Sequence, residues 1–211
     1  MNYIKSINKS IIISFLIILT LIISGCIGSR NDDSSDGSNT KEYEEAFEFK
    51  LLDGTIKNMS EYKGKVVLLD FMGARCPPCG RQMFELERIY NEYSDEELEI
   101  VSINVWVVSG ENAELVQSLK EAFSCATPCQ VENEFPNLYL SYLKIYYSKP
   151  DGINLDWTFG LDDSSGTLYF KYASEGVPTL YILDKNGNIY YTKASYTEYS
   201  ILKNKLDELI V

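Results

Sequence analysis

An apolar run that ends in two closely spaced thiols leaves few folds open to a chain. Val66 to Phe71, VVLLDF, reads as a strand buried on both faces, apolar except for Asp70. A short turn follows, then Cys76-Pro77-Pro78-Cys79, then a helical pattern over Pro77 to Tyr93. Met83, Phe84, Leu86, Ile89 and Tyr90 give that helix its apolar stripe. Proline at the first helical position costs nothing, because the donor it lacks would have no partner there. Cys76 is then the expected N-cap, with its sulfur facing the unpaired N–H groups and the positive end of the helix dipole, which favours thiolate. Cys79 falls one turn further in, beneath Cys76 and less exposed. Two thiols at such a junction are the minimal apparatus for thiol–disulfide exchange. The same spacing also serves a structural disulfide, or half of a four-cysteine zinc site.

The remaining elements alternate. Phe47 to Leu51 has period two and runs into a turn at Asp53-Gly54, which predicts a short hairpin. Leu98 to Val107 is β-branched and predicts a strand, and Asn112 to Phe123 a helix. Asp156 to Leu161 is a candidate short strand and Gly166 to Ala173 a helix. Pro178 to Leu183 with Ile189 to Thr192 predicts a closing hairpin, and Glu198 to Ile210 a terminal helix. The chain has 211 residues, 45% of them hydrophobic, which is enough for one full core.

Beside CPPC stand Tyr62-Lys63-Gly64-Lys65 before the strand, Gly176-Val177-Pro178-Thr179 late in the chain, and Leu183-Asp184-Lys185-Asn186-Gly187-Asn188-Ile189. With these landmarks in this order, Phe47 to Val211 resembles the thioredoxin superfamily, and more narrowly its TlpA/ResA-like membrane-tethered thiol–disulfide oxidoreductases. The resemblance implies an α/β thioredoxin fold: a central mixed sheet flanked by helices, with an N-terminal β-hairpin addition. Residues 125–152 read as an insertion before the third strand region. The resemblance also implies a cis Val177–Pro178 bond lying against the cysteines, with the Val177 backbone open to pair with a client segment. A trans proline at a strand's start is the ordinary alternative. Asp70 matches a buried aspartate beside the inner cysteine and is a candidate proton acceptor for Cys79, raised in pKa by desolvation. A satisfied carboxylate, or one turned to the opposite face, remains the other reading. The chain departs from the family where Met72 and Arg75 stand in place of the usual turn tryptophan. Loss of those aromatics weakens the case for a flat apolar contact surface, and Arg75 joins Val177 and Pro178 as a candidate client contact. Arg75 and Arg81 add positive charge near Cys76, which lowers a thiol pKa further.

Three further features bear on place and partners. Lys5 and Lys9 precede an apolar run, Ile11 to Ile23, and then Ser24-Gly25-Cys26. This is a secretory signal of lipoprotein type, residues 1–25, with Cys26 as the lipidated residue, or else an uncleaved membrane anchor. Either places the body on the extracytoplasmic side of the cell membrane. Residues 26–46 are a flexible tether with a reach on the order of 25 Å. Cys125 and Cys129 form a second pair: a structural disulfide, a second redox pair in relay with the first, or zinc ligands. Tyr139, Tyr142, Tyr146 and Tyr147 lie at helical spacing and read first as core. Nineteen basic and 31 acidic residues give a net charge of −12, which argues against nucleic acid as a partner. The chain has no histidine, which removes Ser–His–Asp and Cys–His catalysis and imidazole-ligated metals. No cofactor and no metal is called for. The expected partners are cysteine-containing exported proteins, with apocytochrome c the client the resemblance suggests, and a membrane or extracytoplasmic redox partner. A thiol peroxidase, and a tethered binding protein stapled by inert disulfides, are the other readings.

Overall fold

The computed structural model describes residues 46–93, 97–124 and 153–210. The signal or anchor, Cys26, the tether, the insertion at 125–152 and the Cys125–Cys129 pair lie outside the described residues. Among the described residues, no helix is long and apolar enough to cross a membrane.

Seven strands form one mixed sheet in the order β2-β1-β5-β4-β3-β6-β7. β3 (Val66–Met72) lies at its centre, parallel to β4 (Leu98–Asn104) and antiparallel to β6 (Thr179–Leu183). β4 runs parallel to β5 (Thr158–Leu161), and β7 (Ile189–Lys193) closes the other edge beside β6. The predicted hairpin is β1 (Glu48–Leu51) with β2 (Ile56–Asn58), and it joins the sheet through antiparallel pairing of β1 with β5. Gly160 makes that junction possible, because a Cβ there would come 2.4 Å from the Phe49 ring. This is the thioredoxin fold, as the resemblance implied.

Every residue of β3 is buried, because helices cover both faces of the sheet. Strand alternation sorts them. Val66, Leu68 and Met72 pack with α1 (Pro77–Tyr90), α2 (Ala113–Ser124) and α4 (Tyr199–Asp207). Val67, Leu69 and Phe71 pack with α3 (Thr167–Tyr172) and with Met59 and Tyr62. Asp70, in the even set, shares the first face with the cysteines, so the opposite-face reading falls.

Of the boundaries that differ from the sequence reading, two have a visible reason. α1 stops at Tyr90 rather than Tyr93, because Tyr93 turns its hydroxyl to the Asp207 carboxylate, 2.6 Å away on α4. Within α1, Phe84 and Tyr90 are only half-buried, while Gln82 is wholly buried. β4 stops at Asn104 rather than Val107. The Asn104 carboxamide oxygen accepts from Trp106 N–H, 2.9 Å, and its Nδ2 donates to Glu111, 2.9 Å, so the chain turns into a 3₁₀ segment, Trp106–Ser109.

Candidate active site

Local sequence and local structure agree at the junction of β3 and α1. Cys76 has extended backbone and caps the helix: its Sγ accepts from Cys79 N–H at 3.2 Å, with Pro77 at the first helical position. Cys76 and Cys79 are joined as a disulfide, with Cα atoms 5.2 Å apart. The expected difference in exposure between them is slight in this oxidised state. Cys76 is 2% exposed and Cys79 wholly buried, while Arg75, Pro77 and Pro78 around them are exposed.

The Val177–Pro178 peptide bond is cis. It sets Val177 beside the disulfide, with Cys76 Sγ 3.6 Å from the Val177 carbonyl oxygen. Residues a hundred positions apart thus meet at one edge, beyond the C-terminal ends of the parallel strands.

Asp70 is wholly buried beneath this edge. Its Oδ2 accepts from the Ser102 hydroxyl at 3.1 Å, and its Oδ1 has no hydrogen-bond partner among the described residues. Burial pushes the carboxyl up to about 7, with the Ser102 hydrogen bond pulling the other way. A carboxyl poised there can hold or release a proton near neutral pH.

Three residues around the site escaped the sequence reading. Glu111 is 3% exposed and gathers the turn before Cys76. Its Oε2 accepts from Ala74 N–H at 2.7 Å, its Oε1 from Arg75 N–H at 3.1 Å, and Asn104 adds the third bond. Gln82 donates to the Thr197 carbonyl at 3.0 Å and accepts from Thr197 N–H at 2.8 Å, which pins the first turns of α1 to the loop before α4. Trp106 lies over the turn, so close that a Cβ on Gly73 would sit 2.5 Å from its ring. An aromatic ring therefore does lie against this turn, but from the end of β4 and not from position 72 or 75. A glutamate after Ser-Gly had no periodic partner to mark it, and only the β4 boundary could have drawn attention to it.

Of the two arginines, Arg75 is exposed and its backbone N–H is held by Glu111. Arg81 places its guanidinium over the Tyr196 ring, 4.5 Å from the centroid. Among the described residues, no cluster of three or more His, Cys, Asp or Glu side chains is placed to hold a metal ion.

Comparison with known proteins adds three kinds of likeness. The profile of the AhpC/TSA family matches residues 43–139. The thiol–disulfide oxidoreductase ResA of Halalkalibacterium halodurans is 39% identical over 72 residues, covering 33% of this chain and 41% of that protein. ResA of Geobacillus thermodenitrificans is 31% identical over 138 residues, covering 65% of this chain and 59% of that protein. The chain thus matches about four to six tenths of the length of these relatives. In fold it is similar to the crystal structure of StoA from Bacillus subtilis, with a TM-score of 0.51 and 22% identity over 76% of this chain and 95% of that one.

Proposed function

We propose that this chain, which has the thioredoxin fold and is similar over part of its length to ResA thiol–disulfide oxidoreductases, is a TlpA/ResA-like, membrane-tethered, extracytoplasmic thiol–disulfide oxidoreductase acting on cysteines of exported proteins. One observation carries the reading: a disulfide whose N-terminal sulfur caps a helix and lies against the residue before a cis proline.

In the reducing direction, the Cys76 thiolate attacks one sulfur of a client disulfide. A mixed disulfide forms and the other client sulfur leaves as thiolate. Cys79 then attacks the Cys76 sulfur, the Cys76–Cys79 disulfide closes, and the second client thiolate is released. Two electrons pass to the client. Oxidation of a dithiol client is the same sequence reversed. The helix N-terminus stabilises Cys76 as thiolate, both as the attacking group in reduction and as the leaving group in the last step of client oxidation. Asp70 accepts the Cys79 proton at its open Oδ1, so that the inner thiol can attack. The Val177 backbone offers a strand-like partner to the client segment. The tether from Cys26 to residue 46 keeps the domain near the outer bilayer surface, where exported clients emerge.

Trapping tests this. Cys79→Ser leaves the mixed disulfide without its displacing thiol, so reductant-sensitive adducts should accumulate in the membrane fraction, while Cys76→Ser should give none. If Cys79→Ser traps nothing under either oxidising or reducing conditions while remaining folded, the oxidoreductase reading fails and a tethered binding protein becomes the better account.

A further inference from the structure

Asp70 does not stand alone in the core. Ser102 lies directly across from it on β4 and donates its hydroxyl to Oδ2. The Ser102 oxygen in turn accepts from Trp157 Nε1–H at 2.9 Å. All three side chains are buried. An indole nitrogen can only donate, and a serine hydroxyl has one proton to give. The direction of the line is therefore set: Trp157 donates to Ser102, and Ser102 donates to Asp70. Donors in series polarise one another, so the Ser102 hydroxyl is a stronger donor with the indole behind it. Trp157 is itself held by ring contacts with Phe159, 5.6 Å, and Tyr90, 5.8 Å between centroids.

We propose that Ser102 and Trp157 are positioning residues for Asp70: they occupy Oδ2 with a fixed donor and so confine the exchangeable proton to Oδ1. This rests on the proton role given to Asp70 above. Serine and tryptophan thereby hold which oxygen works, and from which side.

The surroundings leave this line little competition. Leu180 pairs with Asp70 from β6, and Leu68, Met72, Ile100, Met83 and Leu202 share its face of the core. Among the described residues, the ionisable side chains on or against that face are Tyr90, which touches Trp157, with Tyr93, Tyr191 and Tyr199, and the two cysteines of α1 once their disulfide is reduced. Further along, Glu111 is tied to Asn104, and Lys120 of α2 sits over the Phe159 ring.

The experiment reads Asp70 and the chemistry separately. In the full-length oxidised protein, the Asp70 carboxyl is titrated by carbon-13 NMR, with Asp70→Asn as the assignment control. Ser102→Ala removes a hydrogen bond to the charged form, so the midpoint should rise by about one pH unit or more. Trp157→Phe keeps a ring but removes the indole N–H, and the midpoint should rise in the same direction by less. In the reduced protein carrying a thionitrobenzoate adduct on Cys76, the pH profile of its release by Cys79 should move by the same amounts. Where Ser102→Ala fails to fold, Trp157→Phe decides. An unmoved carboxyl midpoint in the folded variants overturns the proposal. A moved midpoint with an unmoved release profile upholds the positioning of Asp70 and overturns the proton role assigned to it.

Discussion

Asp70 makes the stability of the oxidised protein depend on pH in a way that one substitution isolates. Its carboxyl is held near 7 in the folded protein, against about 3.8 when unfolded. Below the lower value the proton is bound in both states and Asp70 contributes no slope. Between the two values the folded state holds a proton that the unfolded state has lost, so unfolding becomes easier as pH rises. Each pH unit is about 1.4 kcal/mol, and a gap of about three units totals about 4 kcal/mol, lost by the time pH passes 7. Asp70→Asn never titrates and should escape this loss. The variant should therefore gain on the parent steadily from pH 4 to pH 7, by about 4 kcal/mol in all, and hold a constant difference above that. The assay is urea unfolding of both proteins at intervals from pH 4 to 8.5 with the disulfide intact, so that neither Cys76 nor Cys79 titrates and every other group cancels in the difference between the two proteins. Parallel stability curves across the range would refute the reasoning, since they would mean that Asp70 ionises equally easily in both states.

Two further substitutions probe the supports of the site. Glu111→Ala strips the acceptor from Ala74 N–H, Arg75 N–H and Asn104 at once. It should cost about 2–4 kcal/mol by the same unfolding assay and loosen the turn that presents Cys76, while a loss below 1 kcal/mol would mean that water replaces the carboxylate. Gly73→Ala drives a methyl into the Trp106 ring and should cost about 1–3 kcal/mol, recovered in part by adding Trp106→Leu; no recovery would place the strain elsewhere.

The parts of the site built from neighbours in sequence were legible from it. Pro77 beside Cys76 announces a helix start, the six apolar and acidic residues from Val66 announce a buried strand, and Val177-Pro178-Thr179 carries its landmark whole. The parts assembled across the sheet were not. Ser102 reads as a small interruption in a β-branched strand until its register opposite Asp70 is known. Trp157 falls at the start of the candidate strand Asp156 to Leu161, where nothing local says that its indole reaches β4. Asn104 ends its strand because Glu111, seven positions on, bonds back to it, and a rule based on β-branched composition runs past that point to Val107. Gln82 is a polar residue that the apolar stripe of α1 does not mark, and it is matched to the Thr197 backbone, 115 positions away.

The closure of the disulfide to water bears on how the protein keeps company. Exchange requires a thiolate to come in line with a sulfur, and its rate depends on access as well as on pKa. With Cys76 at 2% exposure and Cys79 at none, a freely diffusing small thiol finds little sulfur to strike. A partner that laid a segment along Val177, as proposed, would approach from a side where Cys76 Sγ borders backbone, 3.6 Å from the Val177 carbonyl oxygen. Shape then does what potential alone cannot: two pools of thiols at different potentials can share one compartment without running down into each other.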